Sequence, residues 1–210
     1  MQIFDDFGAR HNPSNDFFIE ENGFIRDHQS VSDHRVALIR AAGLLKIYSF
    51  NTKTQNSKLI AESSTFLSEE EKEQFWQLAV CPKGQFFAVF VISCIDWPFN
   101  ASRLIIFELT DNGFEAKDQI DLSEEGFEDM QSMCFYGYYQ NSLILTAMAH
   151  SEPNALLTFE YNLKSEKLRE VNELRKGVTT EVGFCQMLRV GEELVSCNFD
   201  AQMLKIKYNF

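Results

Sequence analysis

Residue types that could support catalysis stand side by side at one place in the chain, His150-Ser151-Glu152. A serine nucleophile, a histidine base and an orienting carboxylate together catalyse acyl transfer in many hydrolases. Direct neighbours in sequence do not reach the geometry of such a triad, in which three separate segments converge. The Gly-x-Ser-x-Gly turn that presents a nucleophilic serine is also absent. The sequence therefore predicts no catalytic residue.

Two Asp-His pairs, Asp27-His28 and Asp33-His34, offer donor atoms that a metal ion could use. A protein metal site needs further ligands, and no third cluster follows these pairs at a regular spacing. A flexible polar linker accounts for them better. Phosphate-binding loops of the forms GxxxxGK[ST] and GxGxxG are absent as well. We therefore predict neither a metal site nor a cofactor.

The segment Cys94-Ile-Asp-Trp-Pro-Phe-Asn100 carries two large aromatic residues, Trp97 and Phe99, beside Asp96. Aromatic side chains on a loop are natural anchors for a binding partner, because they bury much area at little entropic cost. The two rings could equally fold back onto the domain as a lid. Both interpretations are open at the level of sequence.

Composition limits the kinds of partner. The chain has 210 residues and a formal net charge of −12 at pH 7, which repels phosphate backbones and anionic lipid headgroups. We expect no nucleic acid and no membrane among its partners, since no apolar stretch approaches the roughly 20 residues of a membrane helix.

The cysteines form no CxxC pair and are odd in number, which predicts reduced thiols in a cytoplasmic protein. They are Cys81, Cys94, Cys134, Cys185 and Cys197.

A short apolar strand that ends on an aromatic or similar residue, followed by a polar one, occurs four times. The copies are Leu45–Ser49, Leu104–Glu108, Leu156–Glu160 and Leu204–Tyr208. They recur roughly every 50 residues, a period typical of β-propeller blades. Turn signals such as Asp111-Asn112-Gly113 divide the chain into further strands between the copies.

This division predicts an N-terminal extension over residues 1–35 and four units over 36–66, 74–122, 131–171 and 183–210. In the first unit only three strands are evident, and the last unit lacks an outer strand. The extension contains a hairpin-like stretch, 17–26, with an Asn-Gly turn. We predict that this stretch supplies the missing strand to the last unit, because unpaired edge strands promote aggregation.

The sequences Leu104-Ile-Ile-Phe-Glu-Leu109 and Leu156-Leu-Thr-Phe-Glu-Tyr161 resemble the strand of WD40 repeats that ends in Trp-Asp, with Phe and Glu in their place. The Gly-His pair that opens such repeats is absent. The resemblance covers residues 36–210 and implies an all-β fold, a degenerate WD40-like β-propeller or partial propeller built from four-stranded antiparallel blades.

WD40 propellers usually have about seven blades, whereas this chain holds about four. The four blades could close by themselves, or form the C-terminal part of a larger propeller completed by another chain. Two stacked sheets or a sandwich remain alternatives.

In WD40-like folds the b–c and d–a loops emerge on one face, where a and d are the innermost and outermost strands of a blade. The resemblance therefore implies one acidic face, with a mildly basic face opposite. The acidic residues are Glu69, Glu70, Glu71, Glu124, Glu125, Glu128, Asp129, Asp96, Glu152 and Asp200. The basic ones are Lys53, Lys58, Lys83, Lys164, Lys167 and Arg189. Such charge runs could also simply keep the loops solvated.

These observations predict a non-enzymatic scaffold for protein–protein interaction. Its acidic loops, with Trp97 and Phe99, would bind a partner protein: a basic or amphipathic peptide, or a chain that completes the propeller. The alternative is a propeller hydrolase or lactonase with a metal ion at the central channel. Such an enzyme needs three or more Asp, Glu, Asn or His side chains at the axis, and inner segments such as Leu78-Ala-Val-Cys81 are apolar.

Overall fold

Apolar runs separated by short polar turns make this chain an all-β protein. The structure is a computed structural model, and it describes residues 25–51, 53–54, 56–65, 67–95, 100–123, 129–150, 154–171, 176–178, 184–198 and 203–208. These residues form sixteen strands in four antiparallel sheets and contain no α-helix. Accordingly, no helix in this part of the chain is long and apolar enough to cross a membrane.

Each sheet is built from strands that follow one another in sequence. The first contains β1 (Ile25–Ser32), β2 (Arg35–Arg40), β3 (Leu44–Asn51) and β4 (Asn56–Ser64). The second contains β5 (Gln74–Val80), β6 (Phe86–Ser93), β7 (Asn100–Thr110) and β8 (Gly113–Asp121). The third contains β9 (Asp129–Tyr139), β10 (Ser142–His150), β11 (Asn154–Asn162) and β12 (Lys167–Glu170), with β13 (Lys176–Val178) also paired to β11. The fourth contains β14 (Phe184–Val190), β15 (Glu193–Asn198) and β16 (Met203–Ile206).

The four sheets are the blades of a β-propeller, which confirms the predicted fold class and the predicted degenerate propeller. The first strands of the blades, β1, β5, β9 and β14, approach one another and are therefore the inner strands. Consecutive blades pack face to face: the first on the second, the second on the third, and the third on the fourth.

Strand β6 shows why the second blade is the centre of the hydrophobic core. Successive side chains of a strand point to opposite faces, and this strand is covered on both. Phe87 and Val89 pack in the cluster shared with the first blade, whereas Phe86 and Phe90 pack in the cluster shared with the third. Each fully buried phenylalanine contributes about 1.5–3 kcal/mol of hydrophobic stabilisation. The continuous apolar run from Phe86 to Ile92 is thus the signature of a central blade.

The first strand, β1, lies within the stretch that the sequence assigns to an N-terminal extension, and it was not predicted as a strand of the first blade. Its sequence is polar, so neither apolar alternation nor a continuous apolar run marks it. It is held by its antiparallel pairing with β2 and by side-chain contacts to the second blade. Gly84, in the turn after β5, packs against it: its φ is +66°, and a Cβ there would lie 2.7 Å from Val31.

The predicted closing strand, 17–26, is described only at Ile25 and Arg26. Both belong to β1, and Ile25 pairs with Arg40 of the first blade. Residues 17–24 lie outside the described residues, so a strand supplied by them to the last blade stays a prediction. In the described part of the chain the last blade has three strands, with β16 at its edge.

Candidate functional site

The structure describes some of the predicted site residues and not others. Glu69, Glu70 and Glu71 lie in the connection between β4 and β5, and all three are exposed. Asp129 is the first residue of β9, and its side chain is outside the described part. The other predicted site residues also lie outside the described residues. These are Asp96, Trp97, Phe99, Glu124, Glu125 and Glu128.

The connection 67–73 is a fixed turn built by Ser68 and Glu73. Glu73 N–H donates to the carbonyl oxygen of Ser68 at 3.0 Å, and Ser68 N–H donates to Glu73 Oε2 at 2.8 Å. The N–H of Glu71 donates to Ser68 Oγ at 3.1 Å. Lys72 adopts a φ of +49°, the left-handed conformation that lets the chain reverse here. Glu69 to Lys72 are therefore held outward on a defined backbone.

Glu73 anchors this turn to the second blade. Its carboxylate is buried, accepts the hydroxyl of Ser102 at 2.5 Å and pairs with the guanidinium of Arg103 at 2.8 Å. Arg103 also donates to Gln119 of β8 at 3.0 Å. Since Glu73 neutralises Arg103, the net charge that the turn presents to solvent comes from Glu69 to Lys72 and is negative.

A second set of contacts ties the turn to the loop that follows β6. The carbonyl oxygen of Glu71 accepts the hydroxyl of Ser93 at 2.8 Å and the N–H of Cys94 at 3.3 Å. Cys94 begins the segment that carries the predicted aromatic anchors. The exposed glutamates and the start of the aromatic segment are therefore neighbours in space.

The antiparallel order of the second blade brings its acidic connections to one end. The start of β5, the end of β6, the start of β7 and the end of β8 all lie at this end of the sheet. A cavity of about 260 Å³ opens there between the turn and the blade. Its lining residues are Ser68, Glu71, Glu73, Ser102, Arg103, Gln119, Asp121 and Ser123.

Asp121 adds a permanent negative charge beside this cavity. Its Oδ1 accepts both the N–H and the hydroxyl of Ser123, at 2.8 and 2.6 Å. These hydrogen bonds lower the pKa of Asp121, because they favour the ionised carboxylate. Ser123 directly precedes the second predicted acidic run, so that run also begins at this end of the blade.

At the opposite end of the blades, two lysines are paired with acidic residues. Lys117 contacts Glu166 at 2.9 Å and Glu108 at 3.3 Å, and the hydrogen bond that Lys117 donates to Glu166 is the main reason that the pKa of Lys117 is raised. Lys167 pairs with Asp118 at 3.4 Å. The predicted charge asymmetry stays a prediction, since most of its acidic residues lie outside the described residues. Glu69, Glu70 and Glu71 have no ion pair among the described residues.

The described residues do not assemble a metal centre, since no three His, Cys, Asp or Glu side chains come together. Asp27 has a structural role instead. Its Oδ2 accepts the N–H of Leu78 in β5 at 2.8 Å, and its Oδ1 accepts the N–H of His28 at 2.7 Å. Burial raises the pKa of Asp27 against the opposing effect of these hydrogen bonds. The side chain of His150, with Ser151 and Glu152, lies outside the described part.

Sequence reasoning missed Glu73, Ser102 and Arg103. None of the three is among the predicted site residues. The available signal was position. Glu73 directly precedes an apolar strand and lies two residues before the buried Phe75, so strand alternation places both side chains on the same side. A carboxylate at an inward position requires a buried partner, which Arg103 provides.

Comparison with known proteins supports the fold alone. No protein-family model and no curated protein sequence matches the chain. Among solved structures, a candidate 6-phosphogluconolactonase from Bacteroides uniformis matches 88% of this chain with a TM-score of 0.61 and 13% sequence identity. The match covers 50% of that protein, so this chain spans half the length of the structure it resembles.

Proposed function

We propose that the protein is a non-enzymatic interaction module, and that the acidic end of its second blade binds a basic or amphipathic segment of a partner protein. The observation that carries the proposal is the turn 68–73. It exposes three consecutive glutamates on a backbone that the pairing of buried Glu73 with half-buried Arg103 fixes to the blade.

Rigid placement matters because it lowers the entropic cost of binding. Side-chain rotation of Glu69, Glu70 and Glu71 is still lost on binding, but the backbone between Ser68 and Glu73 is already ordered. Negative charge concentrated at one end of the blade would steer a cationic segment towards it. The adjacent segment after Cys94, with Trp97 and Phe99, would then provide apolar anchoring.

The test is a titration with a defined probe, a fluorescein-labelled amphipathic peptide of lysine and leucine, followed by fluorescence anisotropy. The variant Glu69→Gln/Glu70→Gln/Glu71→Gln removes the three exposed charges and leaves Glu73 in place. Exposed ion pairs are worth about 0.5 kcal/mol each, so we expect affinity to fall about tenfold.

A matched variant, Asp33→Asn/Asp111→Asn/Glu192→Gln, changes the net charge by the same amount. These three acidic residues are exposed in turns at the opposite end of the blades. We expect this variant to bind the peptide within about twofold of the wild type, since its acidic end is intact. Equal losses in the two variants would refute the acidic end as a binding site.

The likeness to a candidate lactonase favours one second candidate, a propeller hydrolase or lactonase with a metal ion at the central channel. Its test is hydrolysis of 6-phosphogluconolactone with and without added divalent cations. Saturable hydrolysis that a chelator abolishes would replace the scaffold proposal. Hydrolysis no faster than the spontaneous reaction would remove this candidate.

A further inference from the structure

The fourth blade exposes an apolar surface on the side that faces away from the third blade. Leu188, Val190 and Met203 are 55%, 61% and 62% exposed, the three highest values among the large exposed hydrophobic residues of the described chain. They belong to β14 and β16, and all three lie on one side of the sheet. We call this side, with Val195 of β15 between them, the open face.

The register of the strands establishes which side this is. Met187, Leu194 and Ile206 are buried in the cluster shared with the third blade. Leu188 pairs with Val195, so both point to the other side of the sheet by strand alternation. Cys197 pairs with Met203, which places Met203 on that same side.

The open face continues a series of interfaces already present in the chain. The first three blades each pack an apolar face on the next blade. The corresponding face of the fourth blade is the next position in this series. Among the described strands, those of the first blade make no comparable packing on it.

The charges on the open face suit a second copy of the same surface. Glu193, beside Val190, and Lys205, across from Val195, lie on this side of the sheet. Neither forms an ion pair with a described residue. A two-fold axis brings a surface against itself, so residue i of one copy meets residue j of the other and j meets i. An apolar centre flanked by one acidic and one basic residue is complementary to itself under such an axis.

From these observations we infer that the open face is an isologous homodimer interface. Leu188 and Met203 pack across the axis, and Glu193 of each copy pairs with Lys205 of the other. This inference concerns a different blade from the acidic end, so the two proposals can fail independently.

The test is the molar mass of the full chain by light scattering after size exclusion, at about 1 to 100 µM protein and about 150 mM salt. We expect the wild type to reach twice the monomer mass of 24.3 kDa. Leu188→Asp/Met203→Asp should remain at the monomer mass throughout, with an unchanged circular dichroism spectrum because both positions are exposed. The matched control Ile60→Asp, at an exposed apolar position of β4, should dimerise like the wild type.

Charge exchange tests the two-fold arrangement itself. Glu193→Lys and Lys205→Glu should each weaken dimerisation at least tenfold, because each sets like charges against one another. The double variant should restore the wild-type dimer. A monomeric wild type, a mass that rises without limit, a dimer that persists in Leu188→Asp/Met203→Asp, or a double variant without restoration would each overturn the inference.

Discussion

At the scale of residues, Glu71 and Glu73 show that one residue type takes different roles according to position, because Glu71 lies in the turn and Glu73 directly precedes strand β5. Glu71 is exposed and uses its backbone carbonyl to hold Ser93 and Cys94. Glu73, two residues later, is buried and neutralises Arg103. Composition alone treats the two residues alike, whereas position next to an apolar strand separates them.

This difference predicts unequal effects on stability. Glu73→Ala leaves Arg103 without its carboxylate and removes the acceptor of Ser68 N–H, so we expect the free energy of unfolding to fall by about 3 kcal/mol. Glu70→Ala, at an exposed position of the same turn, should change it by less than about 0.5 kcal/mol. Urea denaturation followed by tryptophan fluorescence measures both. A similar loss in the two variants would show that the pair does not anchor the turn.

At the scale of elements, the blades are joined by polar side chains that reach the backbone of the neighbouring blade. Gln29 of β1 donates to the carbonyl oxygen of Leu78 at 2.6 Å. Asp118 of β8 accepts the N–H of Leu168 in β12 at 2.8 Å. These contacts satisfy backbone groups at the inner and outer edges of the blades, where no strand ladder continues.

The last blade is joined differently, through Tyr208. Its hydroxyl lies 2.7 Å from both Thr146 and Thr158 of the third blade, and both threonines are fully buried. The ring packs edge to face on Tyr136, with the centroids 4.8 Å apart. Burial raises the pKa of Tyr208, which favours the protonated hydroxyl, a group that can both donate and accept hydrogen bonds.

Removal of this hydroxyl should loosen the last blade. Tyr208→Phe keeps the ring but deprives two buried threonines of their partner, which we expect to cost about 1–3 kcal/mol of unfolding free energy. The control is Tyr139→Phe, which removes a hydroxyl that accepts a hydrogen bond from the exposed Gln140 at 3.2 Å. We expect it to change the free energy of unfolding by less than about 0.5 kcal/mol. Thermal unfolding compares the pair. Equal melting temperatures for Tyr208→Phe and the wild type would contradict the proposed junction.

Elements that are buried on both faces could be predicted from sequence, and elements held by polar contacts could not. The run Phe86 to Ile92 identifies β6 because both faces of that strand are covered. Strand β1 could not be predicted because its place in the blade depends on hydrogen bonds with distant Leu78, whose N–H donates to Asp27 and whose carbonyl oxygen accepts from Gln29. The short strand β13 shares the edge of β11 with β12, a pairing for which the sequence gives no signal.

At the scale of the whole molecule, antiparallel topology is the basis on which the sequence predicts that the acidic loops lie at one end. Alternating strand direction places every second connection at the same end of a blade, so the charges of those loops are expected at that end. The anchor of those loops required the structure, since Glu73 meets Ser102 and Arg103 only in the folded blade. The open face could be recognised only from the exposed fractions of its side chains, because the sequence does not distinguish the exposed apolar residues of β14 from the buried ones.

A ¹H–¹⁵N chemical-shift map of the wild-type protein titrated with the lysine–leucine peptide shows directly whether the peptide binds at the acidic end of the second blade. We expect the amide signals of Glu69, Glu71, Cys94 and Ser123 to shift together and to saturate at one common dissociation constant. We also expect the amide signals in the opposite turns, at Asp33, Asp111 and Glu192, to stay in place. Shifts centred on those opposite turns, or spread evenly over the surface, would contradict a binding site at the acidic end of the second blade.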